Sequence, residues 1–513
     1  MNLDILAVHA AHSPERSALI DDAGRRRSYA ELNARVRRAA TALSGLGLAA
    51  GERCAHLHHN CIEGFELGHA LRRLGAVSTP VNTRLRDAEI AYLLNDSGAR
   101  VVVAGPEFTA AVEAARPQVE DADRRRWLML GDGAPPPGWQ AYEDVLAAAG
   151  DAEPPGGGAT SAPTMIYTAG TTGHPKGAYR GGGVDVSVAS SWVAAFQFST
   201  EDVHLLAGPS YHSAPGFFAG LQQMFGATTV VLRRFEAETA LRLIAEHRVT
   251  TTFMAPILVK RILDLPEAVR RAHDVSSIRC LIVAAAPFPA DLKRRAVDFF
   301  GPHVFEFYGA TETGLVTLIT PADLLRKPDS CGRVLPAVEV RLLDDDGNEV
   351  PEGQPGELWA RSPGVFSEYH NRPEATARNR RDGFFTVGDI AWRDDEGFIH
   401  ICDRKVDMVI SGGVNIYPAE IEAVLHSHPA VEDCAVVGVP DSEWGESLKA
   451  VVKLRPGGEA GEQELIGYVG ERLAAYKRPR SVDFVEDFPR DAAGKLLKRL
   501  LRDRYWTEAG RQV

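Results

Sequence analysis

Two short runs, 279-RCLIV-283 and 304-VFEFY-308, are the clearest strand signals in this chain. Both are rich in β-branched and aromatic residues, and a stretch of helical character separates them. Similar runs occur earlier at 100-RVVVA-104, 228-TTVVL-232 and 251-TTFM-254. Strands that alternate with helices over such a length predict an α/β fold of layered sheets and helices, in which the sheets are largely buried.

The predicted secondary structure differs between the start of the chain and the part beyond residue 400. Near the start, 28-SYAELNARVRRAATALSGLGL-48 predicts a helix that begins with a Ser28–Glu31 capping box and ends at Gly45. Beyond residue 400 the pattern predicts a compact α+β unit, with a helix from Pro418, strands at 434–439, 448–454 and 481–485, and a helix at 462–476. We therefore predict a large domain over residues 1–403 and a smaller one over residues 404–513.

The overall charge and the cysteines exclude several classes of protein. The 513 residues carry 57 Lys and Arg against 69 Asp and Glu, a formal net charge of −12, which argues against nucleic-acid binding by broad phosphate neutralisation. The six cysteines show no CxxC spacing, so they predict free thiols in a reducing compartment. No run of about 18 apolar residues is present, and we expect a cytoplasmic protein with no membrane span.

The strongest chemical signal is the segment 166-IYTAGTTGHPKGA-178. Its glycines allow backbone N–H groups to approach a polyanion, its threonine hydroxyls add donors, and Lys176 adds positive charge. It is not a Walker A loop, because Pro175 stands directly before the lysine. The segment predicts a phosphate-binding loop of a different kind.

This segment resembles the phosphate loop of the adenylate-forming acyl-CoA synthetase family, which includes firefly luciferase and the adenylation domains of peptide synthetases. Further matching blocks follow in the family's order: 210-SYHSAPG-216, 307-FYGATETG-314, 387-VGDIA-391, 403-DRKVDMVISGGVNIYPAEIE-422 and 489-PRDAAGK-495. The resemblance covers essentially the whole chain. It implies a ligase in which a carboxylate attacks the α-phosphate of ATP, pyrophosphate leaves, and the thiol of coenzyme A displaces AMP. ATP and Mg²⁺ would be its cofactors, and coenzyme A its co-substrate.

The resemblance also implies a role for each matching residue in binding the nucleotide. The β- and γ-phosphates would be bound by Thr168, Gly170, Thr171, Thr172, Gly173 and Lys176. Tyr308 would stack on adenine, Gly309 would allow a close approach, and Thr311 would donate to the α-phosphate. Glu312 would hold Mg²⁺, a cation that prefers one or two carboxylates together with phosphate oxygens.

Two further parts of the nucleotide site are implied by the later blocks. Asp389 would accept both ribose hydroxyls, with Arg404 nearby. Lys495, in the small domain, would stabilise the charge of the adenylation transition state, and it forms the expected catalytic set with Thr171, Glu312 and His212. The small domain would then rotate about a hinge at residues 404–407, so that Gly412 and Gly413 line the pantetheine tunnel.

The sequence departs from the family pattern at three places. Val406 stands where relatives usually carry Asp or Lys at the hinge, and its stiff apolar side chain offers no polar contact. Ala169 replaces a common Ser in the phosphate loop. The segment 283-VAAAPFP-289 replaces a glycine-rich turn at the adenine; Ala285 fits such a turn only if its φ is negative, and it restricts the backbone more than glycine would.

The acid substrate is the least determined part of the prediction. His212 falls at the family position that borders the acyl pocket. Within 214-APGFFAGLQQMF-225, Ala and Gly are followed by Phe217, Phe218, Leu221, Met224 and Phe225, which are apolar and uncharged, as expected for a hydrophobic pocket. An ordinary core helix would fit the same residues. A hydrophobic monocarboxylate is therefore expected, with a fatty acid first and an aryl or cyclic acid second.

Two alternatives concern the partners and the activity, and one further expectation concerns the oligomeric state. An acyl-AMP ligase that loads a carrier protein would carry an insertion that limits domain rotation, and none is evident between residues 314 and 403, which favours coenzyme A. A catalytically silent binding protein would need to lack Lys495, Glu312 or Asp389, and all three are present. A homodimer is the prior expectation for the oligomeric state.

Overall fold

The computed structural model describes residues 4–150, 163–168, 175–182, 186–362, 364–411, 414–441, 443–490 and 496–508. In chain order the strands are β1 Ser17–Asp21, β2 Arg26–Ser28, β3 Arg53–Leu57, β4 Val77–Pro80, β5 Val101–Ala104, β6 Arg126–Met129, β7 Gln140–Ala141, β8 Thr164–Thr168, β9 Lys176–Arg180, β10 Val203–Leu206, β11 Thr228–Val231, β12 Thr251–Met254, β13 Cys280–Val283, β14 Val304–Ala310, β15 Gly314–Ile319, β16 Gly332–Val334, β17 Glu339–Leu343, β18 Gly356–Arg361, β19 Glu368–Tyr369, β20 Arg380–Arg381, β21 Phe384–Arg393, β22 Phe398–Arg404, β23 Val409–Ser411, β24 Val414–Ile416, β25 Val431–Asp441, β26 Gly445–Leu454 and β27 Ser481–Phe484.

The helices lie between these strands. In chain order they are α1 Ile5–His12, α2 Tyr29–Gly45, α3 Ile62–Leu74, α4 Asp87–Ser97, α5 Thr109–Ala115, α6 Tyr142–Ala148, α7 Val186–Phe196, α8 Ser213–Met224, α9 Ala237–His247, α10 Pro256–Leu263, α11 Glu267–Arg271, α12 Ala290–Phe300, α13 Pro321–Leu324, α14 Pro373–Arg378, α15 Pro418–His426, α16 Glu462–Gly470 and α17 Lys498–Glu508.

The largest sheet contains four of the predicted strand runs, those at 228–232, 251–254, 279–283 and 304–308, as β11, β12, β13 and β14. Its described strands follow the order β17-β18-β21-β22-β16-β15-β14-β13-β12-β10-β11-β1-β2, with β20 paired to β21. Strands β11, β10, β12, β13 and β14 are parallel to their neighbours within this run. In an open parallel sheet, ligands bind beyond the carboxyl ends of the strands. The segments that follow β10, β13 and β14 therefore share one edge of the sheet.

The core is built on both faces of this sheet, which explains the continuous apolar runs. Val230, Leu205 and Leu281 face α9, α10 and α12 in one cluster of buried residues, while Phe253 and Ile282 face α8 in another. A strand with both faces buried needs no polar alternation. The predicted α/β fold with largely buried sheets is confirmed.

A second sheet, with the described order β19-β9-β8-β4-β3-β5-β6-β7, packs beside the first. Leu32, Val36 and Leu43 of helix α2 are fully buried in a cluster that includes Leu19 of the first sheet and Val101 of the second. The predicted capping box at the start of α2 is present, since the Glu31 carboxylate accepts from the Ser28 backbone N–H and the Ser28 hydroxyl accepts from the Glu31 N–H.

The third sheet belongs to the smaller C-terminal unit. Its described strands follow the order β24-β23-β26-β25, with β27 paired to β26. The helix predicted at 462–476 is shorter than expected, because α16 ends at Gly470 and a separate 3₁₀ turn follows at Ala475–Lys477. The predicted boundary between residues 403 and 404 falls inside β22, and the limits of the two domains stay a prediction.

Two general expectations can be compared with the described residues. All six cysteines are free, as their spacing indicates. In the part of the chain that the structure describes, no helix is long and apolar enough to cross a membrane.

Candidate active site

The centre of the site is the hairpin formed by β14 and β15, which carries the predicted residues 308–312. Gly309 lies opposite Leu315, and a Cβ built on Gly309 would stand 2.1 Å from the carbonyl oxygen of Gly314. Any larger residue would therefore force the two strands apart. This adds a structural reason for the glycine to the predicted approach of a ligand.

Glu312 lies in the turn of this hairpin with only 6% of its surface exposed. Its Oε1 accepts a hydrogen bond from the Thr168 hydroxyl at 3.0 Å and another from the Tyr369 hydroxyl at 2.9 Å. Burial and the charge of Glu312 raise the pKa of Tyr369, so that this hydroxyl remains a donor. Among the described residues, Oε2 of Glu312 accepts no hydrogen bond.

This geometry fits a magnesium ion bound mainly through a nucleotide. Mg²⁺ keeps several waters and is usually held by one or two carboxylates and substrate phosphate oxygens. Glu312 offers one carboxylate oxygen whose orientation is fixed through the other. Elsewhere in the described ranges, no three His, Cys, Asp or Glu side chains form a metal-binding group.

The predicted phosphate loop connects β8 to β9. Thr168 is paired with Lys176 in this antiparallel pair, and residues 169–174 between them lie outside the described residues. The Lys176 ammonium lies 5.2 Å from the centre of the Tyr369 ring. The Tyr92 hydroxyl of α4 donates to the Pro175 carbonyl at 3.0 Å, which tethers the base of the hairpin.

Asp389 and Arg404 face each other across β21 and β22, in register. The Arg404 Nε lies 3.4 Å from Oδ1 of Asp389, and the Tyr308 hydroxyl donates to Oδ2 at 2.6 Å. Burial, with the charge of Asp389, raises the pKa of Tyr308 well above its ordinary value. The residues predicted to bind adenine and ribose are thus in direct contact, and the carboxylate retains lone pairs for further hydroxyl donors.

Thr311 contributes through its backbone in addition to its predicted hydroxyl role. Its carbonyl oxygen accepts from the Arg180 guanidinium at 3.0 Å. Burial lowers the pKa of Arg180, and the nearby charge of Glu312 opposes that shift. Arg180 was not predicted from the sequence, and it places a cation beside the hairpin turn.

His212 caps the start of α8, on an element separate from the nucleotide residues. Its ring lies 4.5 Å from that of Tyr211. Behind it, Phe218 is fully buried and contacts Phe253 and Phe307 at ring separations of 5.6 and 5.8 Å. Phe218 and Leu221 of this helix lie in an apolar cluster, while Gln222 and Gln223 are buried polar residues, and both the core and the pocket interpretation stay open.

Asn60 is a second residue that the sequence did not indicate. Its side-chain amide donates to the carbonyl oxygens of Gly208 and Leu232, each at 2.9 Å, and its Oδ1 accepts from the Ser210 N–H at 2.8 Å. Asn60 follows β3, so it ties the second sheet to the segment that leads into His212. These three hydrogen bonds depend on tertiary packing. A single asparagine after a strand therefore does not predict them from the sequence.

The condition under which alanine suits the turn at the adenine side is not met. Ala285 would fit that turn readily at a negative φ, but its φ is +78°. This position follows β13 at the same sheet edge, and the backbone there takes the left-handed conformation that favours glycine.

Several predicted residues lie outside the described residues. These are Ala169, Gly170, Thr171, Thr172 and Gly173 of the phosphate loop, Gly412 and Gly413 of the small-domain turn, and Lys495. Their roles stay predictions. At the hinge, Lys405 Nζ donates to Asp345 at 2.7 Å and to Glu357 at 3.1 Å, while Val406 is exposed.

Comparison with known proteins agrees with this geometry. Residues 6–370 match the family described as AMP-binding enzyme, and residues 420–495 match the AMP-binding enzyme C-terminal domain. The chain belongs to the AMP-binding enzyme family.

Relatives cover almost the whole chain. A long-chain-fatty-acid–CoA ligase of Mycobacterium tuberculosis is 36% identical over 98% of both chains. A feruloyl-CoA synthase of an Amycolatopsis species is 36% identical over 97% of both. The crystal structure of ATP-bound MatB from Rhodopseudomonas palustris has a TM-score of 0.87 and 32% identity, over 98% of this chain and 99% of that one. The protein is thus an acid–thiol ligase, and ATP is the nucleotide that these neighbours support.

Proposed function

We propose that the protein is an ATP-dependent acid–CoA ligase that forms AMP and pyrophosphate through an acyl-adenylate, and that its acid is a hydrophobic monocarboxylate. One observation carries the proposal. A buried carboxylate with one open oxygen, Glu312, lies four residues along the same hairpin from Tyr308, which contacts Asp389. Glu312 would form a subsite for the metal and the phosphates, and Asp389 would form a subsite for the ribose. Their separation along the hairpin suits the phosphate and nucleoside parts of ATP.

The chain's own residues would perform most of the catalysis by position and charge. Thr168 and Lys176, with Gly170, Thr171, Thr172 and Gly173, would bind the β- and γ-phosphates. Asp389 would hold the ribose, and Thr311 would donate to the α-phosphate. These contacts would place the α-phosphorus in line with the incoming carboxylate oxygen, and no protein nucleophile is required. Bound Mg²⁺ would supply charge neutralisation at the phosphate oxygens.

The second half-reaction requires a different arrangement of the small domain. Lys495 would serve adenylation, and the turn at Gly412 and Gly413 would serve transfer of the acyl group to the coenzyme A thiol. The experiment is therefore a comparison of half-reactions in Lys495→Ala. Acid-dependent exchange of pyrophosphate into ATP should fall by roughly a hundredfold or more. Thioester formation from preformed acyl-AMP should be largely retained, and an equal loss in both would contradict domain rotation.

A fatty acid is proposed as the first substrate class, because the residues behind His212 are apolar and none in the described cluster around α8 is charged. An aryl acid is the second candidate, and a specific observation favours it. Trp192, Phe217, Phe218, Phe253 and Phe307 form a connected set of rings, with Trp192 and Phe217 edge-to-face at 5.1 Å. A planar ring packs well against such edges.

A screen separates these possibilities. Saturated fatty acids of stepped chain length and substituted aryl acids would be compared by pyrophosphate release, with coenzyme A and with a phosphopantetheinylated carrier protein as acceptors. The proposal expects the highest kcat/KM for a fatty acid with coenzyme A. A higher value for aryl acids would transfer the assignment to the second class, and turnover only with the carrier protein would contradict coenzyme A as the acceptor.

A further inference from the structure

Tyr369 contacts both oppositely charged groups of the phosphate end of the site. Its hydroxyl donates to Oε1 of Glu312 at 2.9 Å, and the Lys176 ammonium lies over its ring at 5.2 Å from the centre. We infer that Tyr369 is a positioning residue that holds Glu312 and Lys176 apart, so that both remain available to a magnesium–nucleotide complex. This inference rests on the function proposed above.

The position of Tyr369 is fixed by its backbone and by its ring. It pairs with Ala178 of β9, and its own N–H donates to the Thr376 hydroxyl at 2.9 Å. The ring packs edge-on against Phe366 at 4.8 Å and Phe385 at 6.0 Å, and only 6% of the residue is exposed. A side chain held from so many directions can orient its neighbours without losing much entropy on ligand binding.

The same strands also fix the two groups that Tyr369 contacts. The Phe366 N–H donates to the Glu312 carbonyl at 2.8 Å, and the His370 N–H donates to the Gly177 carbonyl at 2.8 Å. The segment 366–370 therefore bridges the turn that carries Glu312 and the strand that carries Lys176. Tyr369 lies at the middle of this bridge.

The separation matters because a lysine and a carboxylate that meet neutralise each other. A direct Lys176–Glu312 ion pair would remove the cation from the phosphates and the anion from the metal. No such pair is present among the described residues; instead, the Lys176 charge faces an aromatic ring and the Glu312 charge accepts from neutral hydroxyls. Hydrogen-bond donors behind a metal-binding carboxylate orient it, and removing them typically costs about 10–100-fold in metal affinity or activity.

The test measures binding and not turnover. Mg²⁺–ATP and metal-free ATP, the latter with EDTA, would be titrated by calorimetry into the full chain and into Tyr369→Phe. This variant keeps the ring but removes the hydroxyl. We expect Mg²⁺–ATP to bind roughly tenfold more weakly, while the affinity for metal-free ATP changes by less than about twofold because the ring still faces Lys176.

The matched control is Tyr505→Phe. Its hydroxyl is also partly buried and donates to a carboxylate, that of Asp483 on β27, at 2.6 Å, away from Glu312, so both affinities should be unchanged. Tyr369→Leu removes the ring contact as well and should weaken both forms of ATP. Thermal unfolding of each variant confirms that the binding data come from folded protein.

The possible results separate this inference from the proposed function. Equal Mg²⁺–ATP affinities for wild type and Tyr369→Phe would overturn the inference and leave the function intact, as would an equal loss for both nucleotide forms. If Tyr369→Phe weakened only the binding of Mg²⁺–ATP, but the wild type showed no acid-dependent pyrophosphate exchange, the inference would be supported and the proposed function contradicted. A wild-type chain that binds no Mg²⁺–ATP would overturn both.

Discussion

Glu312 at the nucleotide site is neutralised differently from Glu422 and Asp403, two largely buried carboxylates beside the predicted hinge. Glu312 accepts from two neutral hydroxyls and forms no ion pair with any described lysine or arginine. Beside the hinge, Lys498 of α17 lies 2.9 Å from Glu422 and 3.7 Å from Asp403. These carboxylates raise the pKa of Lys498, so the ammonium remains charged in spite of its burial.

This difference indicates which buried charges are available to bind a ligand and which are paired within the protein. A buried charge without an opposite partner is costly, so it persists only where something else is to bind. A buried ion pair serves the protein itself, and removing one partner leaves the other uncompensated. The nucleotide site should therefore lose function when a charge is removed, and the hinge cluster should lose stability.

The largest effect is expected at Glu312. Glu312→Gln keeps an oxygen that can accept from Thr168 and Tyr369 but removes the charge offered to the metal. Acid-dependent pyrophosphate exchange should fall by roughly 10²–10³-fold. The melting temperature should not fall, because a costly buried charge has been removed. A clear drop in the melting temperature with less than tenfold loss of exchange would contradict the comparison.

The next effect is expected at Glu422 and has the opposite character. Glu422→Gln still accepts from the Val436 N–H, but it leaves the Lys498 ammonium with only the more distant Asp403. The free energy of unfolding should fall by roughly 3 kcal/mol, measured by denaturant titration. The folded fraction should retain pyrophosphate exchange.

Glu420 on the same helix supplies the matched control. It pairs with Lys477 at the surface, at 2.6 Å, so Glu420→Gln should change the free energy of unfolding by at most about 1 kcal/mol. If both substitutions cost the same, burial of the Lys498 pair would not be the cause.

The sequence predicts the elements of this comparison better than their contacts. Helix α2 and strands such as β13 appear close to their predicted bounds, because local periodicity and a capping box specify them. The motif blocks also placed Glu312, Asp389, Tyr308 and Arg404 correctly in one region. The contacts between the blocks are tertiary hydrogen bonds. The hydroxyl that donates to Glu312, for example, comes from Tyr369, 57 residues further along the chain.

The residues that the sequence analysis missed share one physical cause. Asn60 and Arg180 make their contacts across sheets, and nothing in their local sequence marks them. The sequence left the φ of Ala285 open, and the structure gives it the left-handed value of +78°. Propensity describes a residue in isolation, and at a site edge the packed elements prevail.

A smaller effect is expected at Lys405, which sharpens the comparison at the hinge surface. Its partners Asp345 and Glu357 lie on the large domain, and the Lys405–Asp345 pair is exposed. Such pairs contribute about 0.2–1 kcal/mol. Because the described arrangement matches an ATP-bound structure over 98% of the chain, Lys405→Gln should lower adenylation relative to thioester formation, by at most about fivefold.

The control for the Lys405→Gln prediction is the effect of ionic strength on the ratio of the two half-reactions. Raising the ionic strength screens an exposed pair, so it should move the ratio of half-reactions in the wild type in the same direction as the substitution. The variant should respond less. A ratio that is insensitive to both salt and substitution would mean that this pair does not influence domain orientation.

The smallest effect concerns backbone strain, which also lies on the nucleotide side. Ala285 has a φ of +78°, whereas no described non-glycine residue after Asp382 has a positive φ. Left-handed backbone costs an alanine roughly 1–2 kcal/mol, and glycine loses part of that gain to the entropy of the unfolded chain. Ala285→Gly should therefore raise the free energy of unfolding by about 0.5–1 kcal/mol. Ala286→Gly, next to it at a negative φ, should lower it by about 0.4–1 kcal/mol. The opposite signs at adjacent positions are the decisive feature in denaturant titration, since a general effect of glycine in this turn would give both substitutions the same sign.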